Sequence, residues 1–198
     1  DQSFMQSDNS FGIETVIGKV NCELPSSTHL GEYQNSRNNQ LAFLAFEQIS
    51  DKVNQLKTLL NTERKQEVKI AVVIGTSTSG IASGEQSMRQ YLATEEHQQG
   101  YHYAMQEMGA TADFIASLAG ANGNVYSIST ACTSSAKALI SGQRLLDSGL
   151  ADIVIAGGVD SLCHMTINGF NALESISQMH TQPFQAQRCG INIGEGAA

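Results

Sequence analysis

The stretch Ser127-Ile-Ser-Thr-Ala-Cys-Thr-Ser-Ser-Ala136 marks the point where the chain changes from a strand pattern to a helix pattern. Residues 125–129 combine aliphatic and hydroxyl side chains as a short buried strand does, and apolar residues then recur at helical spacing as far as Leu150. A second apolar run, Ala151-Asp-Ile-Val-Ile-Ala-Gly-Gly158, follows. Strand, helix and strand in this order predict a right-handed crossover within a parallel sheet, and therefore an α/β fold.

The segments before this corner favour the same class. Residues 69–75 form a continuous apolar run that ends at glycine, which is typical of a strand covered on both faces. Apolar residues at helical spacing predict a long amphipathic helix over residues 39–60. Shorter helices are predicted over residues 84–96 and 111–118, and a strand over residues 13–20.

Cys132 is the candidate nucleophile because it lies at the strand-to-helix corner among small residues. A thiol in the first turn of a helix lies beside unpaired backbone N–H groups and the positive end of the helix dipole, which favours the thiolate. The small neighbours leave room for a thioester carbonyl to approach and accept a backbone hydrogen bond. An acyl-enzyme is the predicted product. From position alone, the alternative is a small buried hydrophobic side chain.

The amino-acid composition and net charge argue against some classes of binding partner. The chain has 198 residues, of which 41% are hydrophobic and 15% charged, as expected of one globular unit with a sizeable core. The net charge of −8 argues against nucleic acid as a partner. No apolar stretch has membrane-spanning length and the amino terminus lacks a basic-then-apolar signal, so we expect a cytoplasmic protein with no membrane partner.

Metal and phosphate sites are not predicted. Cys22, Cys132, Cys163 and Cys189 are widely spaced without a C-x-x-C pair, and are interpreted as free thiols. A zinc site built from Cys163, His164 and His180 would lack the short recurrent spacings of metal ligands. The stretch Gly75-Thr-Ser-Thr-Ser-Gly80 lacks both the G-x-S-x-G order of a nucleophile elbow and the Lys-Ser/Thr ending of a phosphate loop.

Motifs from about residue 35 to residue 198 resemble, in the same order, those of the β-ketoacyl-[acyl carrier protein] synthases. These enzymes catalyse decarboxylating condensations in fatty-acid and polyketide assembly. The motifs are Thr130-Ala-Cys-Thr-Ser-Ser-Ala136, Ala151 to Gly158 as quoted above, Asn168-Gly-Phe-Asn-Ala-Leu173, and Pro183-Phe184 followed by Arg188, Gly190 and Gly194-Glu-Gly-Ala197. Gln185 and Cys189 depart from the aspartates that the family often has there. Gly75 to Ile81 and Gly190 to Gly194 favour a less common branch, such as the type II synthases of aryl-polyene pathways.

The resemblance implies a thiolase-like fold with layered α-β-α architecture and a mostly parallel sheet. Family members are about twice as long and consist of two pseudo-symmetric halves. Residues 1–198 are then expected to be the amino-terminal portion of a synthase, without its first strand and without its carboxy-terminal half.

The resemblance also implies roles for individual residues. Cys132 would take an acyl group from an acyl carrier protein, and the phosphopantetheine belongs to that carrier, so no cofactor is predicted for the chain itself. Thr78 would lie in the acyl pocket. Phe170 would gate it, unless it is an ordinary buried aromatic side chain. Gln106 or a neighbour would face the substrate of the other subunit, unless residues 101–108 only fill the core.

Partners follow from the same resemblance. Dimerisation is expected through the strand that leads into Cys132, in a homodimer or a ketosynthase heterodimer. An acidic carrier protein would dock on basic side chains near the tunnel mouth, for which Arg37, Arg64 and Lys65 are candidates, unless these are ordinary solvated charges.

Condensation needs more than the nucleophile. The family uses two histidines, one in a His-Gly-Thr segment and one in a Gly-His segment, and none of His29, His97, His102, His164 and His180 stands in such a context. The predicted function is therefore acyl transfer to Cys132, followed in the complete enzyme by decarboxylative Claisen condensation with a malonyl-carrier protein to give a 3-oxoacyl thioester. The chain alone is expected to be inactive in condensation. Two alternatives are a non-catalytic subunit resembling a chain length factor, which usually lacks the cysteine, and a degradative thiolase, whose cysteine setting differs.

Overall fold

The computed structural model describes residues 4–25, 31, 34–64 and 67–198, and strands alternate with helices through most of this part of the chain. The helices are α1 (Arg37–Arg64), α2 (Ile81–Thr94), α3 (Ala110–Ala119), α4 (Ser134–Asp147) and α5 (His164–Ala172). The strands are β1 (Met5–Asp8), β2 (Thr15–Gly18), β3 (Ile70–Gly75), β4 (Val125–Ile128), β5 (Ile153–Asp160), β6 (Ile193–Gly194) and β7 (Gly196–Ala197). Short 3-10 turns occupy Tyr103–Gln106 and Ala131–Thr133. None of the helices described is long and apolar enough to cross a membrane.

The larger sheet has the strand order β4-β3-β5-β7. Its central strand β3 pairs in parallel with β4 and with β5, and only β7 runs antiparallel to its neighbour. A smaller sheet has the order β1-β2-β6. The mostly parallel sheet predicted from the sequence is therefore confirmed. The short strand β1 is an addition that the sequence pattern did not predict.

Strand β3 divides the core into two layers. Ile70, Val72 and Ile74 belong to the hydrophobic cluster that includes residues of α1 and α3. The intervening Ala71 and Val73 pack with α4 instead, in a second cluster. Successive side chains of a strand point to opposite faces, so this alternation places helices on both sides of the sheet. The layered α-β-α arrangement is confirmed.

Helix α4 turns a different face to the sheet from the one that its apolar pattern suggests. Leu139, Leu146 and Leu150, which helped to predict the helical segment, are 57%, 45% and 53% exposed. The buried positions of α4 are mainly small, and Gly142 is one of them. An added Cβ at Gly142 would lie only 3.0 Å from Val154 Cγ1, so the helix packs closely on β5 through its small residues.

An ion pair between the partly exposed Arg37 and the buried Glu195 connects the start of α1 to the carboxy-terminal segment. Arg37 Nε donates to Glu195 Oε2 at 2.8 Å, and the backbone N–H groups of Val20 and Leu162 donate to the same carboxylate at 3.1 and 3.4 Å. The Glu195 side chain has no exposed area. Burial raises the pKa of this carboxyl, but the hydrogen bonds from Arg37, Val20 and Leu162 together with the charge of Arg37 outweigh it, so the pKa lies below the ordinary glutamate value.

Replacing Glu195 with alanine should lower the free energy of unfolding near pH 7 by about 3 kcal/mol, because a guanidinium and backbone donors lose a buried acceptor. A folded-state pKa below the unfolded one stabilises the chain above the ordinary glutamate pKa of about 4.3, and this contribution disappears as the pH falls through the lower folded value. The difference between wild type and variant in urea unfolding should therefore shrink in acid. Glu47→Ala, at an exposed position of α1, is the control. A difference independent of pH would contradict the assignment.

Candidate active site

Cys132 lies in a tight corner between β4 and α4. Ala131 has φ +52°, a left-handed conformation that is uncommon for a residue with a side chain and that reverses the chain direction sharply. Hydroxyl groups hold the corner: Ser134 Oγ accepts from Thr130 N at 2.9 Å and donates to Ala131 O at 2.7 Å, and Thr133 Oγ1 donates to Thr130 O at 2.9 Å. Ser134 is buried, whereas Cys132 is exposed. The interpretation of Cys132 as a buried hydrophobic side chain is therefore wrong.

The prediction that the helix begins at Cys132 needs a correction. Helix α4 begins at Ser134 with Thr133 as its N-cap, and Cys132 lies in the 3-10 turn just before it. The left-handed Ala131 and the hydroxyl hydrogen bonds delay the α-helical backbone by two positions. The thiol consequently lies next to the amino end of α4 and not within its first turn.

Glycines in two strands make room for this corner. An added Cβ at Gly75 of β3 would lie 2.5 Å from Ser134 C and from Ser135 N. An added Cβ at Gly158 of β5 would lie 1.8 Å from Ser135 Oγ. The amino end of α4 therefore packs directly against the carboxyl ends of β3 and β5, which is possible only where the strands carry no side chain.

The carboxyl ends of the three parallel strands converge on one cavity of about 630 Å³. Its lining includes Thr78 from the loop after β3, Cys132 from the corner after β4, and Asp160 from the end of β5. Met165 and Phe170 of α5 form another part of the wall. In open parallel sheets, ligands bind at this end of the strands. Cys132 is therefore placed where a substrate can reach it.

The loop after β3 is ordered by one carboxylate oxygen. Asp160 Oδ1 accepts from Ser77 N at 2.7 Å, from Thr78 N at 3.0 Å, and from the hydroxyls of Thr78 and Thr76 at 2.9 and 3.1 Å. Thr78 is 3% exposed, and its hydroxyl also accepts from Ser161 N at 3.0 Å. Thr78 therefore borders the cavity as part of a rigid hydrogen-bonded loop. Asp160 was not predicted as a site residue, although it lies two positions after the predicted parallel strand and ends the observed strand β5.

Two of the three predicted substrate-binding residues meet in this cavity. Thr78 and Phe170 line it together with Cys132. Gln106 does not line it: its Nε2 donates to Tyr101 Oη at 2.8 Å, and its side chain packs close to Gly84 of α2. The role of Gln106 toward a second subunit stays a prediction.

The basic residues proposed for carrier docking differ in their surroundings. Arg37 is engaged in the ion pair with Glu195 and donates to Val20 O at 3.1 Å, so the view of it as a surface charge for docking is corrected. Lys65 and the side chain of Arg64 lie outside the described residues.

Neither the other three thiols nor the histidines in the described part of the chain line this cavity. Burial raises the pKa of the Cys163 thiol, which is 1% exposed and lies in the core. Within the described ranges, no cluster of three or more His, Cys, Asp or Glu side chains is arranged to hold a metal ion. No histidine is among the described residues that line the cavity over Cys132, and His29 lies outside them.

Comparison with known proteins assigns the chain to a family. Residues 40–198 match the model of the β-ketoacyl synthase amino-terminal domain. The chain belongs to the β-ketoacyl synthase family.

Curated synthases align with only part of their length. A 3-oxoacyl-[acyl-carrier-protein] synthase 2 of Rhizobium meliloti (strain 1021) is 36% identical over 80 residues, which are 36% of this chain and 19% of that protein. A putative polyketide β-ketoacyl synthase 1 of Streptomyces cyaneus is 30% identical over 148 residues, covering 66% of this chain and 34% of that protein. The chain therefore corresponds to a minor part of the full length of these relatives.

A solved structure extends the comparison to nearly the whole chain. A chain from the complex of the ketosynthase ApeO with its chain length factor ApeC, from Xenorhabdus doucetiae, is 38% identical with a TM-score of 0.86. The match covers 98% of this chain and 48% of that one. The thiolase-like ketosynthase fold is confirmed, while the branch within the family stays a prediction.

The close packing at Gly75 gives a test of the corner. Gly75→Ala should lower the free energy of unfolding by about 2 kcal/mol, because the new methyl group meets the backbone of α4 and overpacks the site. It should also change the rate at which iodoacetamide alkylates Cys132, since the corner must shift. Urea unfolding and mass spectrometry of digested peptides measure the two effects.

Gly196→Ala is the matched control, because an added Cβ there meets no heavy atom within 4 Å. Its free energy of unfolding should stay within about 0.5 kcal/mol of wild type. Equal effects of the two substitutions would disprove the packing argument.

Proposed function

We propose that this chain carries the acyl-accepting half of a β-ketoacyl synthase reaction, with Cys132 as the nucleophile. The observation that carries the proposal is an exposed thiol at a sharp strand-to-helix corner, opening into a cavity at the carboxyl ends of parallel strands. The family membership supplies the reaction class. An acyl thioester of a carrier protein is the proposed substrate.

The proposed step exchanges one thioester for another. The Cys132 thiolate attacks the acyl carbonyl carbon, and a backbone N–H group near the corner stabilises the negative charge that develops on the carbonyl oxygen. The bond from that carbon to the carrier's phosphopantetheine sulfur breaks, and the leaving thiol takes up the proton lost by Cys132. Cys132 lies two residues before the start of α4 and is exposed, so a thioester carbonyl can approach its sulfur.

The cavity suits an acyl chain. Its lining includes the apolar side chains of Met165, Phe170 and Leu173 of the α5 region and of Ile191 and Ile193. Polar groups are concentrated near Thr78 and Asp160, where they bond to each other. An aliphatic chain attached to Cys132 would therefore have apolar surface to cover.

Condensation is proposed as a property of the complete enzyme. There the acyl group would pass from Cys132 to C2 of a malonyl-carrier thioester as carbon dioxide leaves, which gives a 3-oxoacyl thioester and frees the thiol. This step needs donors for the enolate oxygen. The described cavity lining offers no histidine for that purpose, so this chain alone should accept acyl groups without condensing them.

A second candidate is a non-catalytic subunit that shapes the tunnel of a partner synthase. The observation that favours it is the similarity to a chain from a complex between a ketosynthase and its chain length factor. Cys132 favours the catalytic role, because a subunit that only shapes a tunnel has no need of an exposed thiol at this corner. Either role is compatible with a dimer that contains a related chain.

The test is the intact mass of the chain after incubation with the N-acetylcysteamine thioester of hexanoic acid. We expect one added acyl group, mapped to Cys132 by digestion. Cys132→Ser should slow its addition on the order of 100-fold, because the hydroxyl is a far weaker nucleophile without an adjacent base. No adduct on the wild-type chain would favour the tunnel-shaping role.

Cys189→Ser is the matched control, because Cys189 is a partly buried thiol whose Sγ lies 3.1 Å from Ser177 Oγ. Its loss should leave the acylation rate unchanged. An adduct that maps to Cys189 or to the exposed Cys22 in place of Cys132 would contradict the proposal.

A further inference from the structure

Helix α5 begins without a capping side chain of its own. Its N-cap residue, Cys163, has extended backbone angles and makes no side-chain capping hydrogen bond. The first backbone N–H groups of a helix have no partner within the helix, and they need an acceptor from elsewhere.

That acceptor comes from α2, 79 and 80 positions earlier in the chain. Glu85 Oε2 accepts from His164 N at 2.8 Å, and Glu85 Oε1 accepts from Met165 N at 2.7 Å. Both carboxylate oxygens are therefore used on consecutive N–H groups, and the negative charge lies at the positive end of the helix dipole. Glu85 therefore caps α5 in place of a residue from the neighbouring sequence, and in doing so it connects α2 to α5.

The anchored helix forms a wall of the cavity that contains Cys132. Met165 donates its backbone N–H group to Glu85, and its side of the helix lines that cavity together with Phe170 and Leu173. The middle of α5 is held separately by Ile167, which is completely buried and clusters with Ile17 and Leu162. Glu85 lies in a different, smaller cavity with Cys163 and His164 and does not itself line the one over Cys132.

We propose that Glu85 is a positioning residue that fixes the amino end of α5 and thereby sets the width of the cavity beside Cys132. It acts through Met165 and the following turns and makes no contact with the substrate. The inference rests on the proposed function only in taking this cavity to be the one that receives the acyl chain. Selection among acyl groups would then depend in part on a residue of another helix.

The experiment compares two labelling reagents on the full chain, N-methylmaleimide and the bulkier N-cyclohexylmaleimide, with labelling of Cys132 followed by peptide mass. Without Glu85, the amino end of α5 is free to move away from the corner. Glu85→Ala should therefore raise the ratio of the cyclohexyl to the methyl labelling rate by at least about 3-fold. Hydrogen exchange of the His164 and Met165 amides should accelerate by at least about 10-fold, because both lose their acceptor.

Glu85→Gln tests the same contact with milder disruption, since its amide oxygen can still accept one hydrogen bond. Its labelling ratio should fall between those of wild type and Glu85→Ala, and it serves alone if the alanine variant does not fold. Glu96→Gln removes a charge from the exposed turn after α2 and should behave as wild type.

An unchanged ratio of the two labelling rates in Glu85→Ala, or a changed ratio without faster hydrogen exchange at the His164 and Met165 amides, overturns the proposal. Failure of Cys132 to accept an acyl group, with these shifts present, would instead count against the proposed function alone.

Discussion

The backbone of α4 touches the backbone of β3 and lies against β5, and the candidate site depends on that contact. Gly75 and Gly158 allow it, since a Cβ at either position would overlap Ser134 or Ser135. The contact fixes the helix start relative to the sheet. The corner that carries Cys132 has little freedom as a result, because it must connect the end of β4 to a helix whose first residues are held on two neighbouring strands. The left-handed Ala131 is the local conformation that satisfies this requirement.

Carboxylates then order the segments around the corner. Asp160 accepts hydrogen bonds from the loop after β3, and Glu85 accepts them from the start of α5. Glu195 accepts hydrogen bonds from Arg37 and from the backbone N–H groups of Val20 and Leu162. In each case a carboxylate bonds to backbone N–H groups from a distant part of the chain. Charge-assisted bonds of this kind are stronger than neutral ones, and a carboxylate with two oxygens can hold two donors at once. These three carboxylates therefore join distant segments of the chain by hydrogen bonds, in addition to contributing to its negative charge.

The sequence predicted the elements that depend on local patterns. The apolar run of β3 and the periodicity of α1 identified a parallel sheet with covering helices, and the small residues around Cys132 identified the corner. The buried face of α4 was not apparent, because the sheet selects small residues such as Gly142 for close approach and leaves Leu139 exposed. Glu85 and Arg37 could not be assigned either. The contact between Glu85 and His164 spans 79 positions and that between Arg37 and Glu195 spans 158, and nothing in the neighbouring sequence indicates which donors a carboxylate will meet.

The two steps of the proposed chemistry, acyl transfer and condensation, also differ in whether they depend on residues close to Cys132 in the sequence or on distant ones. The exposure and position of the thiol are set by the corner and by the amino end of α4, both of which lie within a few residues of Cys132. Stabilising an enolate requires hydrogen-bond donors aimed at its oxygen, and the described cavity lining contains no histidine to provide them. In the proposed chemistry, acyl acceptance uses the thiol of this chain, whereas condensation uses further groups of the complete enzyme. Two segments that border the cavity are fixed by contacts within the chain, because Asp160 accepts from the loop after β3 and Glu85 accepts from the start of α5.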